Sequence, residues 1–366
     1  MKAAVFYEVG KPFVVEDIEV DPPREGEVMI KMAAAGVCHS DHHAMTGALP
    51  APTPIVLGHE GAGVIEEVGP GVTSVKKGDH VVSVWRYSCG TCEFCLTARP
   101  ALCPAGLRLR TDGVLSDGTR RFHMGSQEVS HFLGVSTFSS YSVASERSVL
   151  KIREDIPFDK AAVVSCAVIT GVGAVINGAK VRPGESVAIF GAGGVGLNAV
   201  QGAALAGAEP IIAVDLVQSK LDLAKKFGAT HAVNASDEDP VERIREITGG
   251  MGAHYAIEVI GLTEVIAQAF NCLRPGGTAV MVGITSPKDT VAIPTLSLVA
   301  QEKKLIGSIY GSSIPRFMIP RLFDLYMAGR LNLDDLLTRS YPIEQINEAY
   351  DALLNGEVAR SVVTFD

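Results

Sequence analysis

Gly191-Ala192-Gly193-Gly194-Val195-Gly196 stands between the apolar run Ser186-Val187-Ala188-Ile189-Phe190 and a stretch, Val195 to Ala206, with helical spacing. Glycines placed this way between a strand and a helix fit a dinucleotide phosphate turn. Gly191 permits the tight turn, Gly193 lets the backbone approach a pyrophosphate, and Gly196 lets helix and strand pack closely. The helix starting near Val195 offers free N–H groups and a partial positive charge to the phosphates. Glycine-rich turns are common in loops, so the flanks carry the reading. Asp215 ends the next strand, 19 residues after Gly196, where a carboxylate accepts hydrogen bonds from ribose hydroxyls. Leu216-Val217-Gln218 brings no arginine for a 2′-phosphate, which favours NAD over NADP.

Around this turn, residues 168–310 alternate strand and helix: strands at Ser186–Phe190, Ile211–Val214, Tyr255–Val259 and Thr278–Val282, with helices between them. This rhythm implies a doubly wound parallel sheet. Residues 1–167 read differently, as short strands punctuated by glycine and proline. In Glu27-Val28-Met29-Ile30-Lys31-Met32, the apolar Val28, Ile30 and Met32 share one face, and Glu27 and Lys31 are expected on the other. Further strands are expected at Gly61–Val68 and Val81–Val84, giving a β-rich barrel or sandwich. Residues 311–366 carry helices at Pro320–Ala328 and Ile343–Asn355. The closing Ser361-Val362-Val363-Thr364-Phe365 is expected to return as a strand to the first domain.

The formal net charge of -9 argues against a nucleic-acid or anionic-membrane partner. No stretch reads as a membrane span or an apolar leader, so a reducing, cytoplasmic setting is expected. Four of the seven cysteines, Cys89, Cys92, Cys95 and Cys103, lie within fifteen residues. Short turns that return thiolates to one point suit a tetrahedral Zn²⁺, and four thiolates leave no open position, so this lobe is structural. Disulfides would suit a small secreted domain better than a 366-residue chain.

Three further groups remain: Cys38-His39-Ser40-Asp41-His42-His43, Gly58-His59-Glu60, and Cys166. Two sulfurs and an imidazole make a catalytic zinc site with one open position. Singly, Cys166 also reads as a buried thiol and His59 as a core histidine. Cys272 reads most simply as a buried thiol. With Gly58-His59-Glu60-Gly61-Ala62-Gly63, the cysteine lobe, the glycine turn with Asp215, and Gly307 to Gly311, the whole chain resembles the zinc-dependent medium-chain alcohol dehydrogenases, in their class III-like branch.

That resemblance implies a GroES-like catalytic domain of residues 1–167 and 311–366 and a Rossmann-type domain of residues 168–310, with NAD and two zinc ions per subunit. Cys38, His59 and Cys166 become the catalytic zinc ligands, with Asp41 orienting His59 and Glu60 easing ligand exchange. His39, which is arginine in some relatives, and Arg360 fall beside the coenzyme phosphates. Lys220 falls beside the adenosine ribose, and Thr170, Val195, Val282 and Ile284 around the nicotinamide. Ser40, the nicotinamide ribose and His43 form a proton relay. Trp85, Phe132, Leu133 and Ile309 line an apolar slot for a primary aliphatic or aromatic alcohol or its aldehyde.

The runner-up is a glutathione-type formaldehyde dehydrogenase, suggested by Asp117-Gly118-Thr119-Arg120-Arg121-Phe122. Against it, Leu107 replaces the arginine that would hold the adduct's carboxylates, leaving Arg108 and Arg110 nearby, and Leu49 replaces an expected acidic residue. Polyol dehydrogenases usually carry glutamate where Cys166 stands. A non-enzymatic NAD-binding or structural relative is the rival from another class. The long segment between Cys103 and Tyr141 resembles the dimeric branch, so a homodimer is expected over a tetramer.

Overall fold

The alternation around the glycine turn folds as a six-stranded, all-parallel sheet. Its spatial order is His231–Asn234, Ile211–Asp215, Val187–Phe190, Ala253–Glu258, Leu273–Met281, Lys304–Gly307. Val187, Ala188, Ile189 and Phe190 are all buried, as a central parallel strand requires. The chain's direction of winding reverses at this strand, and such a switch point opens a crevice at the strands' carboxyl ends. The glycine turn sits there, followed by the helix Gly194–Leu205.

The computed structural model describes residues 1–365. The chain divides into two compact units: residues 1–166 with 314–324 and the chain from Leu333 onward, and residues 167–313 with 325–332. The parallel sheet belongs to the second. In the first, one sheet orders Val14–Asp17, Lys2–Phe6, Ile55–Val56, Gln127–His131, Phe122–Met124 and Glu19–Val20. A second orders Val149–Lys151, His80–Ser83, Glu60–Val68, Glu27–Gly36, Arg360–Thr364 and Leu337–Pro342, with Tyr141–Ser145 also paired to Glu27–Gly36. Apolar side chains such as Phe6, Val28, Ile30, Ile55, Phe122, Phe138 and Val363 form this unit's core.

One expectation needs correction. Glu27 does not share Lys31's exposure: it is buried against the equally buried Arg121, with Nη2 to Oε1 at 2.7 Å and Nε to Oε2 at 2.9 Å. A buried carboxylate persists when a guanidinium forks onto it, a long-range pairing that strand periodicity cannot report. Among the described residues, the helix Phe158–Ala179 is long and apolar enough to cross a membrane, but 83% of its apolar window is buried inside the protein. It is a core helix. Its α-helical path is interrupted by π-helical turns at Val164–Val168 and Ala174–Ala179, the wide turns often found at functional sites.

Candidate active site

Strand register assembles the buried centre of the first unit. In the ladder of Glu27–Gly36 with Glu60–Val68, Gly36 faces Glu60; on its other side, Val362 faces Gly36. Glu60 and Arg360 therefore meet, and the buried Arg360 guanidinium donates to the buried Glu60 carboxylate. Gly36 leaves the room for this contact: a Cβ there would stand 2.1 Å from Glu60 Oε2. Cys38 follows Gly36 by two residues and precedes the helix His39–Met45. His59 immediately precedes Glu60, and Cys166 comes from the first π-helical turn.

Ligand atoms of Cys38, His59, Glu60 and Cys166 all lie within 4.8 Å of one another, and all four residues are buried. His59 Nδ1 lies 3.1 Å from Asp41 Oδ1, which also accepts the Gly58 N–H at 2.9 Å. With Nδ1–H given to Asp41, Nε2 carries a lone pair, and that buried atom has no hydrogen-bond partner. Glu60 Oε1 is likewise buried without one. Orphaned buried acceptors beside two sulfurs match the donor chemistry of a zinc ion, and Asp41 is the outer partner such a histidine needs. Cys166's thiol hydrogen bond holds Cys38 well below the ordinary thiol range, and the same bond, with burial, pushes Cys166 up. A proton shared between two sulfurs is what a divalent cation displaces. Burial pushes Glu60 up to about 8 against the pull of Arg360.

Around this cluster, Ser40 Oγ lies 3.7 Å from Cys38 Sγ. His43 is half-buried three residues further along the same helix, while His39 is exposed. Trp85 and Phe132 set their rings edge-on to the His59 imidazole, with centroids at 5.7 and 6.1 Å. Leu133 is buried next to Phe132. Ile309 belongs to the second unit, just before the turn Tyr310–Ser312. Arg360, expected at the coenzyme phosphates, is engaged by Glu60. Sequence patterns gave no sign of Tyr350, whose buried hydroxyl lies 3.5 Å from the Cys38 carbonyl.

The cysteine lobe gathers separately. Its four sulfurs also fall within 4.8 Å of one another, with Cys92 to Cys95 at 3.5 Å and Cys92 to Cys103 at 3.8 Å. Sulfurs 2.3 Å from one tetrahedral ion would stand about 3.8 Å apart, so the spacing fits zinc and excludes disulfides.

In the second unit, Gly196 packs so closely that a Cβ would lie 1.7 Å from the Gly191 carbonyl oxygen, whereas Gly193 has open space above it. That is the cradle a pyrophosphate requires. Asp215 Oδ2 accepts the Ala192 N–H at 2.7 Å and Oδ1 accepts the Val217 N–H at 3.0 Å, tying the acidic residue to the turn. Thr170 is buried with its hydroxyl unpartnered, Val195 and Lys220 lie on the helices Gly194–Leu205 and Gln218–Lys226, and Val282 and Ile284 are half-buried. Glu258, unremarked in the sequence, ends its strand by accepting the N–H groups of Ile260 and Gly261, each at 2.7 Å.

A buried sulfur–imidazole centre in one unit and a dinucleotide turn in the other define a zinc-binding oxidoreductase. Comparisons agree. The family described as "Alcohol dehydrogenase GroES-like domain" matches residues 24–154, and "Zinc-binding dehydrogenase" matches residues 194–326. The chain is 44% identical over 365 residues to an NDMA-dependent alcohol dehydrogenase of Amycolatopsis methanolica, covering 99% of this chain and 98% of that protein. It is 40% identical over 367 residues to the S-(hydroxymethyl)glutathione dehydrogenase of Synechocystis sp., covering 100% and 99%. The crystal structure of benzyl alcohol dehydrogenase from Acinetobacter calcoaceticus is similar with a TM-score of 0.95 at 36% identity, covering 100% and 99%. The chain belongs to the zinc-dependent medium-chain alcohol dehydrogenases, enzymes that use zinc and a nicotinamide cofactor.

Proposed function

We propose that this enzyme interconverts primary aliphatic or aromatic alcohols and their aldehydes, with NAD as hydride carrier. The observation that carries the substrate reading is the pair of aromatic rings, Trp85 and Phe132, set against His59. An apolar wall beside a metal ligand suits a hydrocarbon or benzylic substituent. Likeness to a benzyl alcohol dehydrogenase supports the aromatic choice.

Cys38, His59 and Cys166 hold the catalytic zinc, and Cys89, Cys92, Cys95 and Cys103 hold the structural one. The bound ion supplies Lewis acidity that lowers an alcohol's pKa towards neutrality, and the bound nicotinamide supplies the hydride acceptor. Asp41 fixes the tautomer and aim of His59. Ser40 receives the alcohol's proton, and His43 hands it to solvent. Glu60 stands by as an alternative oxygen donor, restrained by Arg360. Asp215 keeps free lone pairs for the adenosine ribose, and the absence of a basic residue at 216–218 supports NAD. His39 and Lys220 serve the coenzyme from exposed and half-buried positions. We read the assembly as a homodimer, supported by the sheet-edge strand Lys304–Gly307 and by exposed Leu296 and Val299 just before it.

A second reading, oxidation of a formaldehyde–thiol adduct, is favoured by two arginines. Among the described residues, Arg86 and Arg110 have no ion-pair partner, and the Arg86 guanidinium lies 5.4 Å from the Trp85 ring centroid. Arg108 is instead paired with Asp112 at 3.3 Å, so the adduct's carboxylates would be met by Arg86 and Arg110. Initial rates of NAD reduction decide between the two. Faster turnover of hexanol and benzyl alcohol is expected, and activity only with formaldehyde plus glutathione, with none on the free alcohols, would overturn the free-alcohol reading.

A further inference from the structure

The wall residue Phe132 opens a loop whose neck holds backbone hydrogen bonds, Val135 and Ser136 N–H to the Phe132 carbonyl at 3.1 and 3.2 Å among them, and one buried bridging hydroxyl. The strand Gln127–His131 runs parallel to Ile55–Val56, with His131 facing Val56. The chain then leaves, and rejoins the same segment two residues later: Thr137 N–H donates to the Gly58 carbonyl at 3.0 Å and Phe138 N–H to that of Leu57 at 3.1 Å. Between these points Leu133, Gly134 and Ser136 take positive φ values of 55°, 68° and 39°, a conformation costly for non-glycine residues and kept where surroundings enforce it.

Ser136 is fully buried. Its Oγ accepts the Phe132 N–H at 2.7 Å and donates to the Val56 carbonyl at 2.7 Å. One hydroxyl thus satisfies a buried donor on the loop and a buried acceptor on the segment that continues into His59. A serine hydroxyl can do both at once, which neither alanine nor glycine can.

We propose that Ser136 is a positioning residue for the substrate: its hydroxyl bolts the Phe132 loop to the His59 segment and so sets discrimination between large and small alcohols. The inference rests on the free-alcohol reading above. It adds a residue that touches neither metal nor substrate, and acts through Phe132.

The experiment compares wild type, Ser136→Ala, Ser136→Gly, Phe132→Ala and the double variant Ser136→Ala/Phe132→Ala. The readouts are kcat/KM for benzyl alcohol and for ethanol, and amide hydrogen exchange at Phe132. Ser136→Ala is expected to lower the benzyl-to-ethanol ratio about ten-fold, chiefly through KM for benzyl alcohol. Ser136→Gly relieves the positive φ yet lacks the hydroxyl, so it shifts the ratio equally despite a different Tm. In the Phe132→Ala background, Ser136→Ala adds no further shift, because contacts acting as one unit are non-additive. The Phe132 amide exchanges at least about ten-fold faster in Ser136→Ala, while the Phe138 amide keeps its protection.

Additive shifts, equal losses with both alcohols, or an unchanged Phe132 amide would each overturn the proposal. Wild-type inactivity with both alcohols would instead defeat the free-alcohol reading, and the Phe132 exchange rate would then decide the bolt by itself.

Discussion

The two sulfur-rich centres use similar ligands and are built in opposite ways. The lobe takes all four cysteines from residues 89–103, and three of them are only half-buried. The other centre draws Cys38, His59, Glu60 and Cys166 from three distant segments, buries them all, and adds the buried pair Glu60–Arg360 and the Asp41 carboxylate. A local loop satisfied by four thiolates is closed and chemically quiet. An assembled centre depends on strand register, a π-helical turn and a glycine-sized gap, and retains unsatisfied acceptors for chemistry. Saturation suits the proposed staple, and incomplete saturation the proposed reaction centre.

The largest separation between the two should come from cysteine replacement. Cys38→Ser is expected to lower NADH formation by at least about 10³-fold while the lobe ion stays bound, read by zinc content and initial rate. Cys95→Ser should do the reverse, losing the lobe ion and lowering Tm while turnover per folded molecule changes only a few-fold. A smaller effect is expected from Asp41→Asn, which leaves the zinc ligands in place but weakens the hold on His59. Zinc affinity at the assembled centre should fall about 10- to 100-fold by competition with a chelating dye, while the ion of the lobe stays bound.

The mildest effect concerns acid. Burial, with Arg121 beside it, holds His131 down to about 3, so the folded protein keeps it neutral. Once pH falls below about 6.5, the unfolded chain binds a proton that the folded one refuses. Stability should therefore decline as the pH falls from about 6.5 towards 3. His131→Gln should flatten that limb in urea titrations between pH 6.5 and 4. This sensitivity belongs to the segment that carries Phe132, not to the lobe.

What could be read from the sequence follows the same division. The glycine turn with Asp215 and the cysteine lobe are local, so their spacing carries their meaning. The alternating strands and helices were legible because parallel strands read as short apolar runs. Cys38, His59 and Cys166 are different: singly each has an ordinary structural reading, and they came together only through resemblance to a family. Nothing local announces that Gly36 makes room for Glu60, that Arg360 lies across the ladder, or that Glu27 is buried by Arg121. The helix Phe158–Ala179 carries no amphipathic period, because its apolar, β-branched composition lacks a polar face.

Stepwise removal of zinc with a chelator, following metal content, NADH formation from benzyl alcohol and Tm on the same samples, tests the division most directly. The account predicts that activity vanishes with loss of the first ion, and that the main fall in Tm comes only with the second. Activity that survives the first ion and disappears with the second, together with stability, would contradict it.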